Sequence, residues 1–223
     1  MATRASMQLR YPYVGVTPPS GITISDLDEL LHRCCDDATP RAGFPYPAES
    51  PTCWIKYGFS VEWNEVCAQV LAYHGLRGQP GCQTRAPGVF YARFDDPITC
   101  IVMEYIPGKT ARQCMKASLD GAAKELVRQS VSRAIGDLHR IQIDVNTRPA
   151  AVSGDKIRHF GVFERDGAPC HYENVQQMED HFNAVCGICP HLVVHCLGPR
   201  SDKPIRPVSQ AHEAGTPRTR PLF

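Results

Sequence analysis

The sequence predicts an α+β fold in which a small antiparallel sheet is followed by a group of helices. Three observations lead to this prediction. Residues 98–104 are mostly apolar or β-branched and lack helical spacing, which is typical of a buried strand. Strand-like segments dominate the chain before this strand, and long apolar faces with helical spacing follow it. Pro107 and Gly108 separate the two halves, because proline removes a ladder donor and glycine admits turn geometry.

Composition excludes several classes of protein. The chain has 223 residues, of which 43% are hydrophobic and 21% charged, as in ordinary globular proteins. Its net charge of +1 argues against a general nucleic-acid or membrane-surface binder. No run of residues has the length and apolarity of a membrane span, and the first ten residues lack the apolar region of a secretory signal. We therefore expect a cytoplasmic protein with neither a nucleic-acid nor a membrane partner.

The eleven cysteines do not predict a disulfide framework. Their number is odd, and the chain is neither small nor preceded by a recognisable signal. Cys53, Cys67, Cys100 and Cys114 lie within apolar patterns, where a thiol behaves as a small hydrophobic side chain. We expect these cysteines to be reduced.

Residues 1–50 predict an N-terminal arm and one short helix. Residues 1–24 contain three prolines without a period, so we expect an extended arm. Ser25 and Asp28 resemble a capping pair, and the apolar stripe that follows predicts a helix over 26–35. The prolines between Pro40 and Pro51 predict no regular structure there.

Residues 51–107 predict a small sheet with one helix. The order is a strand at 53–58, a helix at 61–74 with Gly75 as its C-cap, a strand at 88–94, and the strand at 98–104. A tight turn at Asp95-Asp96-Pro97 would join the last two strands as an antiparallel hairpin.

Residues 108–190 predict a helical region. Thr110 is suited to cap a short helix, Asp120 opens a long one, and the segment 172–186 is again amphipathic. A loop-rich insertion occupies 142–170. The proline-rich residues 191–223 are expected to be disordered apart from a strand-like run at 191–196.

Four segments in this order resemble the aminoglycoside-phosphotransferase-like family, which shares the fold of protein kinases. They are Cys53 to Gly58, Val61 to Tyr73, Ile101 to Thr110, and Leu138 to Ile141. The nearest likeness is to a large fungal group of such proteins that are mostly uncharacterised. The resemblance implies a kinase-like two-lobe fold, with a small antiparallel N-lobe and a helical C-lobe that is incomplete here. It also implies ATP and magnesium as cofactors.

The resemblance assigns roles to five residues. Lys56 matches the strand lysine that reaches the ATP phosphates, and Glu65 matches the helix glutamate that pairs with it. Glu62, three residues earlier, is a competing partner for the lysine. Backbone groups of Glu104, Tyr105 and Ile106 would contact adenine; these three are termed the hinge residues below.

The chain departs from the family where catalysis would begin. No glycine-rich loop precedes Lys56, since Gly43 stands alone among prolines. The family loop His-x-Asp-x4-Asn is absent, because His195 is followed at the second position by Leu197, and Asp202 is followed five residues later by Pro207. Without the aspartate there is no base for an acceptor hydroxyl, and without the asparagine and a second acid there is no cage for magnesium. We therefore assign no catalytic or metal-binding residue and expect little or no phosphoryl transfer.

A second constellation, at the end of the helical region, offers zinc-type ligands. Cys186 and Cys189 form a CxxC half-site, and His191, His195 and Cys196 follow closely. The spacing between the halves is shorter than in zinc fingers, so a helix end with incidental cysteines is the competing interpretation.

Three hypotheses for function remain. The first is a phosphotransferase-family remnant that is inactive through truncation, a shifted reading frame or decay. The second is a non-catalytic binding or scaffold module on the same fold. The third is a small-molecule kinase with an unrecognised catalytic loop. Because the C-lobe would be incomplete, we expect an exposed apolar surface at Val131, Leu138, Met178 and Phe182 that would favour a protein partner or self-association.

Overall fold

The computed structural model describes residues 9–35, 40, 42–117, 120–143, 147–158 and 167–188. Within them a five-stranded antiparallel sheet has the order β1-β4-β5-β3-β2. The strands are β1 (Tyr13–Val14), β2 (Ala42–Tyr46), β3 (Cys53–Gly58), β4 (Val89–Asp95) and β5 (Ile98–Glu104). The helices are α1 (Ile24–Cys35), α2 (Trp63–Arg77), α3 (Ala111–Lys116), α4 (Gly121–His139) and α5 (Val175–Ile188). The predicted α+β class is confirmed.

Strand β5 is the centre of the sheet and is covered on both faces. It pairs with β3 on one side and with β4 on the other. Helix α1 packs on one face, where Leu27 and Leu31 join a buried apolar cluster with Val102. Helix α2 packs on the other face, where Val66 and Ile101 belong to a second buried cluster. This double coverage explains why β5 is an apolar run without alternation.

The absence of regular structure predicted between Pro40 and Pro51 is wrong. Residues Ala42–Tyr46 form β2, which pairs with β3 along its whole length. Pro45 is tolerated because β2 is an edge strand, whose outer side needs no ladder donor. At the opposite edge, Tyr13 and Val14 of the predicted arm pair with β4 as β1.

Two predicted helix ends are also wrong. The cap of α1 is formed by Thr23 and Asp26, whose side chains exchange hydrogen bonds with each other's backbone amides at 3.2 and 2.9 Å, and not by Ser25 and Asp28. Gly75 lies inside α2 and is not its C-cap; the helix continues to Arg77.

The predicted starts of α3 and α4 are confirmed. Thr110 and Gln113 form a capping box at α3, and the Asp120 carboxylate accepts a hydrogen bond from the Ala123 amide at α4. Part of the α4 apolar face is open to solvent, with Val131 41% and Leu138 42% exposed.

Helix α5 packs beside a small separate cluster. Met178 and Phe182 are half-buried there against Ala168 and Tyr172. The predictions for residues 191–223, and the CxxC half-site and its neighbours, lie outside the residues whose side chains the structure describes. No helix in the described ranges combines the length and apolarity that crossing a membrane requires.

Candidate functional site

Lys56 and Glu65 form an ion pair between β3 and α2. Lys56 lies opposite Ile101 of β5, so both side chains project from the face of the sheet that α2 covers. The Lys56 ammonium contacts Oε1 of Glu65 in the first turn of α2. Both side chains are partly shielded, with 20% of the lysine and 34% of the glutamate exposed. The expected contact is therefore present, and Glu62 pairs with Arg158 instead.

Gly43 of β2 lies directly opposite Lys56 of β3. Sequence reasoning did not predict this pairing. A Cβ atom on Gly43 would lie 2.9 Å from the Ile55 carbonyl oxygen and 3.1 Å from the Trp54 indole. The backbone of β2 can approach β3 this closely because the position has no side chain. Gly43 thus allows the edge strand β2 to lie close against β3 beside Lys56.

The hinge residues are already engaged by neighbouring backbone. The Glu104 amide donates to the Gly88 carbonyl at 2.8 Å, and the Tyr105 amide donates to the Thr52 carbonyl at 3.0 Å. The Glu104 carboxylate also pairs with Arg85 at 3.0 Å. An adenine at the hinge would therefore have to use backbone groups other than these two amides.

Two aromatic rings lie at the hinge, where β3 begins. The Tyr105 ring stacks on Trp54 with 6.5 Å between the ring centroids and 25° between the planes. Ile106, the last hinge residue, is 52% exposed. Cys53 is opposite Glu104, so Lys56 is three residues further along β3, or about 10 Å at 3.3 Å per residue.

A buried carboxylate, Asp137, ties α4 to the loop that follows α2. The Thr84 hydroxyl and the Arg140 guanidinium both contact this carboxylate, and the Gln79 amide donates to the Asp137 carbonyl at 3.0 Å. The hydrogen bond from Thr84, aided by the nearby Arg140 charge, lowers the pKa of Asp137. Sequence reasoning missed this anchor, since Asp137 is 53 residues from Thr84 and 58 residues from Gln79.

A cavity of about 520 Å³ lies near the N-terminal end of α2, and neither Lys56 nor Glu65 lines it. Its lining includes Phe59 before α2, Trp63 at the start of α2, Phe94 and Thr99 from the β4–β5 hairpin, and Asp155 from the insertion. None of the five residues expected to contact nucleotide lines it.

The Lys56–Glu65 ion pair, here termed the charge clamp, is the charged pair of the candidate site. Within the described ranges no group of three or more His, Cys, Asp or Glu side chains is placed to hold a metal ion.

The buried cysteines agree with their predicted structural role. Cys53, Cys67 and Cys100 are buried, and none of them forms a disulfide with a described residue. Burial raises the pKa of the Cys67 thiol, which disfavours the reactive thiolate. Cys114 is half-buried.

Comparison of the chain with protein-family models, with curated proteins and with solved structures finds no match.

Proposed function

We propose that this chain is a kinase-like protein of the aminoglycoside-phosphotransferase-like family that keeps a nucleotide-binding lobe and lacks the catalytic loop. The observation that carries the proposal is the Lys56–Glu65 ion pair, which joins a strand to the following helix beside a central strand that runs into Pro107-Gly108. A lysine held by a glutamate on the covered face of a sheet is arranged to present one positive charge at a fixed place.

The distance along the sheet supports a nucleotide as the ligand. Lys56 lies about 10 Å along β3 from the position opposite Glu104, which is comparable with the span from base to phosphates in an extended nucleotide. The aromatic pair of Trp54 and Tyr105 adds apolar surface at the hinge end. Lys56 would then neutralise phosphate charge while the hinge backbone orients the base.

ATP would supply a phosphoryl group, but the residues needed to transfer it are missing. No aspartate followed five residues later by asparagine occurs after the helical region, so no base is assigned to take a proton from an acceptor. Positioning and charge neutralisation account for most of phosphoryl-transfer catalysis. We therefore propose binding of nucleotide with little or no turnover.

A titration with a fluorescent ATP analogue tests the proposal. We expect saturable binding by the full chain and an affinity at least about tenfold weaker in Lys56→Ala, because the interaction of Lys56 with phosphate is lost. Lys124→Ala, which removes a lysine from α4, is the control and should bind like the wild type. Circular dichroism checks that each variant is folded.

Two results of this titration would refute the proposed function. One is the absence of saturable binding by the wild type, and the other is equal affinity in the wild type and Lys56→Ala. Phosphoryl transfer to sugars, aminoglycosides or choline-like amines above the Lys56→Ala background would instead favour an active kinase with an unrecognised loop.

A second candidate function, a non-catalytic binding module, is favoured by the open face of α4. Ile135 is 48% exposed and lies on the same side of the helix as the exposed Val131 and Leu138. Large apolar side chains grouped on one helix are typical of surfaces that associate. We expect concentration-dependent self-association in light scattering that Val131→Lys reduces and Arg112→Ala, an exposed change on α3, does not. Light scattering that shows only monomer at every concentration of the wild type would refute self-association.

A further inference from the structure

Residues 151–158, here termed the strap, cross the N-terminal end of α2. The Ser153 amide donates to Oδ1 of Asn64 at 3.0 Å, and the Arg158 guanidinium donates to Oε1 of Glu62 at 2.6 Å. Glu62 immediately precedes α2, and Asn64 is its second residue. Both contacts therefore lie at the start of the helical turn that carries Glu65.

The strap is a hydrogen-bonded turn, so it can hold a position. The Gly154 amide donates to the Ala151 carbonyl at 2.9 Å, and the Ala151 amide donates to the Asp155 carbonyl at 2.9 Å. Gly154 adopts a φ of 92°, which residues with a side chain rarely adopt. The Ser153 hydroxyl closes the turn by donating to the Asp155 carboxylate at 2.7 Å.

The first turn of α2 depends on contacts from outside the helix. Glu62 occupies the N-cap position, but its side chain makes no capping hydrogen bond and points its carboxylate to Arg158. A helix start without a side-chain cap is less stable than a capped one. The strap and the Lys56 pair thus contribute polar contacts to this turn, together with the Trp63 indole, which donates to the Leu9 carbonyl at 3.2 Å.

The attachment of the strap is weak enough to be reversible. The side chain of Arg158 is 56% exposed and that of Glu62 39% exposed, and ion pairs this exposed contribute little to stability. The cavity of about 520 Å³ lies between the strap and the β4–β5 hairpin, which limits apolar packing between them. Ile157 of the strap packs instead with Tyr172 in the cluster beside α5.

We infer that the strap is a conformational device that holds the first turn of α2 where Glu65 reaches Lys56, so that detachment of the strap releases the Lys56 charge clamp. The regulatory part rests on the proposed function, because it concerns the same nucleotide site. When the strap is attached, most molecules would have Glu65 in contact with Lys56; when it is detached, more molecules would have the first turn of α2 released.

Hydrogen exchange of the full chain without nucleotide tests the device directly. In Arg158→Ala and in Asn64→Ala we expect the amides of residues 62–67 to exchange about threefold to tenfold faster than in the wild type. Arg128→Ala is the matched control, because Arg128 makes an ion pair of similar exposure with Glu125 on α4. It should leave exchange at 62–67 unchanged.

Two further readouts separate positioning from general loss of stability. Acetylation of Lys56, followed by mass spectrometry, should be faster in Arg158→Ala than in Arg128→Ala, since a released Glu65 no longer covers the ammonium. The exchanged pair Glu62→Arg with Arg158→Glu should restore slow exchange. The device is overturned when neither Arg158→Ala nor Asn64→Ala changes exchange at 62–67.

Nucleotide titration then distinguishes failure of the device from failure of the proposed function. When the variants release the turn and bind the fluorescent ATP analogue more weakly than Arg128→Ala does, the regulatory link is supported. When they release the turn but bind it as the wild type does, the regulatory link is overturned. If the wild type does not bind the ATP analogue, the proposed function is refuted. Faster hydrogen exchange in the variants would still show that the strap holds the first turn of α2.

Discussion

Replacement of Gly75 by alanine is expected to destabilise the protein, although alanine is the better helix former. Gly75 lies inside α2, where the change to alanine would by itself contribute about 0.5–1 kcal/mol of stability. A Cβ atom here would lie 2.8 Å from Cγ2 and 2.9 Å from Cγ1 of Ile141. Overpacking of this kind costs about 1–3 kcal/mol, so the net loss is up to about 2.5 kcal/mol.

Gly136 provides a matched control for this change. It lies in the interior of α4, and its Cβ would meet no atom within 4 Å. Urea unfolding should show that Gly136→Ala stabilises the protein by about 0.5–1 kcal/mol. The Ile141→Ala background provides the second control, because removal of the facing side chain should convert Gly75→Ala into a stabilising change.

The sign of the effect decides between two explanations of Gly75. Stabilisation by Gly75→Ala in the otherwise wild-type chain would refute the close approach of α2 to Ile141. A loss of equal size in the wild-type and Ile141→Ala backgrounds would show that the glycine is required for another reason.

Three further predictions concern single side chains. The hydroxyl of Tyr91 and the nearby Arg93 lower the pKa of Asp28, so this carboxylate contributes stability above its unfolded pKa of about 3.9 and loses it as the pH falls through the lowered value. Urea unfolding at several pH values should therefore show a shallower acid loss in Asp28→Asn than in the wild type. Tyr172 is 1% exposed and its hydroxyl has no hydrogen-bond partner among the described residues, so Tyr172→Phe should leave stability unchanged or raise it by about 1 kcal/mol. Maleimide labelling with peptide mapping should modify the exposed Cys170 well before the buried Cys67.

Each of these predictions has a result that would contradict it. Equal acid sensitivity in Asp28→Asn and the wild type would show that the Tyr91 hydrogen bond does not stabilise the ionised Asp28 carboxylate in the folded protein. Tyr91→Phe, which deletes a hydroxyl that donates to Asp28 at 2.7 Å, should destabilise the protein, and the same loss in Tyr172→Phe would show that the Tyr172 hydroxyl is bonded. Labelling of Cys67 as fast as Cys170 would show that the α2 face of the sheet is open.

The parts of the fold that the sequence predicted correctly depend on local patterns. The apolar run of β5, the turn that joins it to β4 and the caps at Thr110 and Asp120 are all encoded within a few residues. The Lys56–Glu65 contact was expected from the family resemblance, which pairs a strand lysine with a glutamate on the following helix, and the structure contains this contact.

The parts that the sequence did not predict depend on distant partners. Pro45 argues against a strand unless it is known that β2 has one unpaired edge, which only the sheet order shows. Glycine is common at the C-terminal end of helices, which is why Gly75 was predicted to end α2. Only the position of Ile141 explains why a glycine lies inside this helix. The strap contacts span 89 and 96 residues, so no local spacing indicates them.

The strand order also determines when the sheet can be completed during synthesis on the ribosome. The central strand β5 is the last of the five to emerge, although β3 and β4 both require it as a neighbour. Until residue 104 has left the exit tunnel, the β2–β3 pair and β4 each present an unpaired inner edge to other chains. A translational pause before β5 would prolong this aggregation-prone stage, whereas one placed after it would allow the sheet to close first.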